Sequence, residues 1–170
     1  MRTRRLHGHA GSTRQFGRRQ RLAAEQDWQD FADALGAALG IFRLSGIYGP
    51  GRGALLRKAR GDQPGARRWT NRIHADDAAS AISHLLEFDA PPALLLANDD
   101  LPALEHEVLA WLRARQGLPP LAAAGADPDA DAGPATGRRV ANARLRATGW
   151  APAFPDYRAG YASLLAGAGV

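Results

Sequence analysis

A chain of 170 residues, 45% of them hydrophobic, is long enough to bury one core of its own. It contains no cysteine, which excludes a disulfide framework, a thiolate metal site and a cysteine nucleophile. No apolar run approaches the ~20 residues of a membrane span, and the basic start lacks the apolar stretch of a secretory signal. A cytoplasmic protein without membrane attachment is therefore expected.

The net charge of +5 is unevenly placed. Residues 1–21 carry seven arginines and no acid, which leaves the remainder of the chain at −2. The pI near 10.6 thus belongs to one terminal segment. Residues 1–16 are expected to be a disordered basic tail, because nothing in them repeats with a helical or strand period. Nucleic-acid binding through this arginine-rich arm is an alternative, but only Phe16 is available there to stack on a base.

From Arg21 to Leu39 the apolar residues Trp28, Phe31, Ala32, Leu35, Ala38 and Leu39 recur every three or four positions, which predicts a helix ended by Gly40. Ile41–Leu44 then reads as a strand, and Ser45 to Arg52 as a loop turning at Gly49, Pro50 and Gly51. Residues 54–59 suit a short helix, and Arg68 to Ile73 a second strand. A helix capped by Asp76 or Asp77 follows, its buried face being Ala78, Ile82, Leu85 and Leu86. Ala93 to Ala97 is a third strand, apolar on both faces, as a central parallel strand is. A helix from Pro102 to Arg115 buries Leu104, Val108, Trp111 and Leu112. Residues 118–137 have no period and read as a mobile loop. Short helices at 139–147 and 157–166 close the chain. Alternating strands and helices predict an α/β fold with parallel pairing. In open sheets of that kind ligands sit beyond the carboxyl ends of the strands, which points to residues 45–52.

Four landmarks occur in order: Arg43-Leu-Ser-Gly-Ile-Tyr48-Gly49-Pro50-Gly51-Arg52, Asn71-Arg72-Ile73-His74-Ala-Asp76-Asp77, Asn98-Asp99-Asp100 and Gly149-Trp150-Ala-Pro152. Together they resemble the C-terminal part of the extended short-chain dehydrogenase/reductases, the NAD-dependent epimerase/dehydratase family, over residues 17–167. The resemblance implies a partial Rossmann-like parallel sheet with flanking helices and a small C-terminal substrate-binding region, residues 17–170. The family's N-terminal nucleotide-binding half, with its Gly-rich turn, is expected to be absent, as a truncated or mis-framed start would explain. It also implies NAD or NADP as cofactor of the whole protein, with none bound by this chain alone. The implied partners are a small, anionic substrate and either an N-terminal half or a second copy of the chain. A non-catalytic module that pairs with another chain is the alternative.

In that family a Tyr and, four residues on, a Lys perform the proton chemistry: the cation lowers the phenol's pKa. Here Gly17 and Arg21 hold those positions, so no catalytic residue is assigned. Arg21 retains a cation that could reach a ribose or phosphate, but it does not titrate as a lysine does. Ser45 and Gly46 match positions that face the nicotinamide, giving Ser45, Gly46 and Arg21 as cofactor-binding candidates. Tyr48, Arg52, Asn71, Arg72 and His74 are the substrate-binding candidates, Arg52 and Arg72 as anion contacts and Tyr48 as a packed aromatic with a bonded hydroxyl. His74, Asp76 and Asp77 do not suffice for a metal site. Glu105, His106 and Glu107 read as a solvated helix face. Residues 49–54 also fit G-x-G-x-x-G/A, but Pro50 removes one of the backbone donors that a pyrophosphate cradle needs.

Overall fold

The computed structural model describes residues 10–121 and 134–167. Its chain divides into two compact units. One comprises Met1–Ile41 with Asp89–Ala93, the other Phe42–Phe88 with Leu94–Val170.

The first unit is built on α1 (Ala10–Leu35). The helix begins at Ala10, inside the stretch expected to be unstructured; residues 1–9 lie outside the described residues. It ends at Gly36, earlier than the expected Gly40. Gly36 takes φ +62°, its N–H bonds Asp33 O at 3.2 Å, and Ala37 N–H reaches back to Ala32 O at 2.9 Å. This double closure uses the left-handed conformation that glycine adopts without strain. Exposed pairs Gln26–Asp30 and Gln29–Asp33 bond across one turn. Ala32 is buried, but Trp28, Phe31 and Leu35 remain 61%, 56% and 64% exposed. The predicted apolar face exists as a stripe and is left uncovered.

The second unit is mixed α/β. β1 (Ile41–Leu44) pairs with β5 (Leu94–Ala97). Ile41 N–H bonds Ala93 O and Ser45 N–H bonds Ala97 O, so both strands advance together and run parallel. β2 (Gly46–Tyr48) pairs in parallel with β4 (Arg72–His74), with Gly46 opposite Arg72 and Tyr48 opposite His74. The second expected strand is broken at Asn71. Its first part, β3 (Trp69–Thr70), pairs antiparallel with β6 (Ala103–Leu104). Three two-stranded sheets therefore replace the three strands expected, while the parallel α/β pairing holds. Leu95 is buried but Leu96 is 40% exposed, so β5 is covered on one face only.

Four described helices complete this unit before the last: α2 (Ala54–Ala59), α3 (Ala75–Leu85), α4 (Glu105–Arg115) and α5 (Ala143–Arg146); α6 (Tyr157–Gly167) follows. α3 is capped by His74, whose Nδ1 accepts from Asp76 N–H at 3.3 Å, not by either aspartate. It buries Asp77, Ala78 and Ala81, while Ile82 and Leu86 point outward at 44% and 81% exposure. α4 buries Val108, Leu109 and Leu112, and Trp111 is only half-buried. Buried Arg113 ties the end of α2 to α4 by donating Nη1 to Ala59 O and Gly61 O and Nε to Pro119 O. One apolar core gathers Tyr48, Val108, Leu109, Leu112, Tyr157 and Tyr161; another gathers Ile73, Ala81, Leu95, Leu145 and Trp150. Of the predicted mobile loop, residues 122–133 lie outside the described residues; Thr136 is bridged to Arg68. Among the described residues no helix is long and apolar enough to cross a membrane.

Candidate functional site

The loop after β2 turns tightly, with Arg52 N–H bonding Gly49 O at 2.9 Å. An added Cβ at Gly49 would come within 2.9 Å of the Ala75 Cβ, so the loop and the start of α3 meet backbone to backbone. Beside this turn opens a cleft of about 230 Å³, lined by Gly46, Ile47, Tyr48, Arg52, Ala54, Leu55, Thr70, Asn71, Arg72 and Tyr161. Its lining holds two arginines and no acid.

Five residues singled out from the sequence line this cleft: Gly46, Tyr48, Arg52, Asn71 and Arg72. Arg52 is exposed, and Arg72 is buried, at 3% exposure. Ser45 and His74 do not line it. Ser45 is half-buried, its N–H held by β5, and His74 is buried as the α3 cap. Gly17 and Arg21 lie on α1, in the other unit. Asn71 does line the cleft, but its amide donates to Arg138 O at 2.9 Å and accepts from Val140 N–H at 2.8 Å.

The remaining landmark residues bind the chain to itself. Asp77 accepts from the N–H groups of Ala153 and Phe154, at 2.7 and 3.1 Å. Trp150 Nε1 donates to Ser80 Oγ. Asn98 donates to Asp99 O and Val140 O, and Asn142 donates to Asn98 O and Asp100 Oδ1. Glu105 takes Lys58 at 2.6 Å, Arg68 at 3.4 Å and the Ala66 N–H. Its burial opposes ionisation, but the Lys58 bond and these other donors still hold the carboxyl below its ordinary range. The helix-face reading of Glu105 is thereby corrected.

The Asn98 Oδ1, by contrast, is buried without a partner, and other buried polar atoms share that condition. Tyr48 Oη, Arg72 Nη1, His74 Nε2 and both Asp99 carboxylate oxygens are buried without a hydrogen-bond partner of good geometry. Such groups are rare in folded chains, and each marks water, a ligand or chemistry. No protein group bonds the Tyr48 hydroxyl. Tyr48 stacks on Tyr161 at 4.5 Å between ring centroids and meets His74 edge-on at 5.3 Å. Arg72 donates Nη2 to Thr70 Oγ1 and, at 3.4 Å, to Thr70 O, and its guanidinium lies 5.3 Å over the Tyr157 ring. Burial pushes the Tyr48 hydroxyl well above its ordinary range, with Asp99 and Tyr161 adding to it, and pushes Tyr161 up to about 12. Burial also raises the Asp99 carboxyl, to about 7, against the pull of Arg72. Both phenols stay neutral hydrogen-bond donors, while the Asp99 carboxyl exchanges its proton near neutrality. Asp99 and Tyr161 were missed as site residues. For Asp99 the signal was available: an Asn-Asp-Asp run at the carboxyl end of a strand.

Dinucleotide chemistry finds little to hold it in residues 49–54. Pro50 has no N–H, the Arg52 N–H is already bonded to Gly49 O, and α2 is six residues long. Among the described residues no three His, Asp or Glu side chains converge on a metal position.

No family model matches the sequence, and no curated protein matches it significantly. Solved structures do. A Methylobacillus flagellatus protein provisionally described as an NAD-dependent epimerase/dehydratase is 40% identical, with a TM-score of 0.67 over 76% of this chain and 47% of its own. A Silicibacter pomeroyi protein of unknown function is 32% identical, with a TM-score of 0.62 over 76% and 49%. RMD from Pseudomonas aeruginosa, solved with NADPH, shares the fold at 20% identity, with a TM-score of 0.60 over 77% and 48%. The fold is a partial Rossmann-like NAD(P)-binding fold. The chain is NAD-dependent epimerase/dehydratase-like over 76% of its length, and it spans about half the length of the structures it matches.

Proposed function

We propose that this chain supplies the substrate-side part of an NAD(P)-dependent oxidoreductase or epimerase-like protein and does not catalyse alone. The observation that carries the reading is the cleft, where Gly46, Tyr48, Arg52, Asn71 and Arg72 line one space along the parallel pair β2–β4. The small-molecule ligand lies there, its anionic group toward Arg52 and Arg72. Lys58 is the only lysine of the chain and no tyrosine stands four residues before it, so a Tyr-x-x-x-Lys pair does not occur. Binding energy without that pair positions a substrate but transfers no proton to it. NAD(P) remains the cofactor of the whole protein, and the chain by itself binds it weakly or not at all.

The test is a titration of NADH and NADPH against the chain, following nicotinamide fluorescence. No saturable change is expected; micromolar binding would overturn the division of labour.

A second reading, a module that pairs with another chain or a second copy, is favoured by the uncovered Trp28, Phe31 and Leu35 stripe. It predicts self-association or partner-dependent solubility in light scattering. A monodisperse monomer that melts cooperatively counts against it.

A further inference from the structure

We propose that α1 is an interface along which two copies of the chain pair antiparallel, about a two-fold axis near Gln26. The pairing rests on the second reading of the uncovered stripe and adds to it a partner, an orientation and a register. The stripe extends beyond its three large residues. Gly17, Arg21, Ala24, Trp28, Phe31 and Leu35 follow one another at alternating spacings of four and three. On an α-helix this alternation draws one continuous seam, the pattern that a facing helix covers. Gly17 is half-buried and the other five are exposed. An ideal Cβ at Gly17 would meet nothing within 4 Å, so space stands open at that end too. Trp28 and Phe31 brace each other edge-on, with ring centroids 5.9 Å apart, and form one ridge.

Size and charge select the occupant. The seam is large toward its C-terminal end and small toward its N-terminal end. Reversed against a copy of itself with Leu35 opposite the partner's Gly17, it sets Trp28 opposite the partner's Ala24 and Phe31 opposite the partner's Arg21. Each large side chain then meets a small one, and the guanidinium lies on an aromatic face. A parallel pair in register would set Trp28 against Trp28 and leave a gap where Gly17 faces Gly17. Charge is segregated in the same sense. Residues 10–21 of the helix hold four arginines and no acid, and residues 22–35 hold four acids and no cation. That order opposes the helix dipole, which disfavours cations at the N-terminus and acids at the C-terminus. An antiparallel copy offsets it. The exposed Arg19 and Arg21 run beside the acidic half of the partner helix, with its exposed Asp27, Asp30 and Asp33. The two-fold axis repeats every contact and closes the pair, so no seam is left for a third chain.

The test is sedimentation velocity of the whole chain from about 1 to about 100 μM. A monomer–dimer equilibrium is expected, weakened severalfold as salt rises from about 0.05 to about 0.5 M. Arg21→Glu should weaken the dimer about tenfold, and adding Asp27→Arg, one turn from Phe31, should restore most of the loss. The chain has no cysteine of its own, so orientation can be read with a short bismaleimide. Gly17→Cys mixed with Leu35→Cys should cross-link, and neither should cross-link alone, because like positions lie roughly 27 Å apart along the pair. A dimer that cross-links within the single variants, or in no combination, overturns the antiparallel register and leaves the second-copy reading standing. A dimer indifferent to salt and to Arg21→Glu overturns the matching of opposite halves. Association beyond the dimer overturns the closed pair. A monomer at every concentration overturns the interface and the second-copy reading together and leaves the cleft untouched. The native-chain sedimentation and its salt dependence stand even where a variant fails to fold.

Discussion

Two sets of polar residues are treated in opposite ways. Asn71, Asp77 and Asn142 are tied into backbone groups of distant segments. Tyr48, Arg72, His74 and Asp99 carry buried atoms with nothing bonded to them. The first set closes the structure: each removes a backbone donor or acceptor from the list of groups that must find a partner. The second set holds back polarity at a cost in stability. A motif residue is therefore read by its partners, and within one Asn-Arg-Ile-His run both kinds occur.

The largest expected effect is on the tied side. Asp77→Ala removes the acceptor from two backbone N–H groups and should cost about 4 kcal/mol in chemical denaturation. A loss below ~1 kcal/mol would erase the contrast. Gly160→Ala tests the crowding of the untied side. The added methyl would lie 1.9 Å from Tyr48 Oη, and roughly 3 kcal/mol should be lost in the same assay.

Asp99→Asn should act in the opposite sense. The Asp99 carboxyl is raised from 3.8 to about 7, so between those values the folded chain holds a proton that the unfolded chain releases. Its penalty is absent below the unfolded value, grows as pH rises through that window and is complete above it. Asp99→Asn should therefore stabilise the chain by roughly 2 kcal/mol above neutrality and flatten the fall in stability across that window. Thermal melts at several pH values check this, and a variant less stable than the parent at alkaline pH would sink it. The smallest effect falls outside both sets. Trp28→Ser on α1 should change the stability of the isolated chain by less than about 0.5 kcal/mol.

Much of this was legible before any coordinates. Ile41–Leu44 and Ala54–Ala59 stand at their expected bounds, because Gly and Pro punctuate them sharply. The loop at 45–52 does border a cleft. Periodicity failed where tertiary pairing decides. Asn71 breaks the second strand because its side chain is drawn to Arg138 and Val140, about seventy positions away, which no local pattern records. His74 was chosen for its chemistry, yet its ring nitrogen is used as a helix cap. Asp77 was chosen as a cap and instead anchors Ala153 and Phe154. The start of α1 was missed because residues 10–20 lack an apolar stripe while still being good helix formers in part.

The contact between Gly160 and the ring of Tyr48 also constrains how this chain can drift. An ideal Cβ at position 160 meets not only the hydroxyl but the ring itself, at 2.7 and 2.8 Å. Tyr48→Phe would thus leave most of the obstruction in place. In an alignment of descendants, a side chain at 160 should appear only where position 48 has first given up its aromatic ring, and the two columns should mutate in that order.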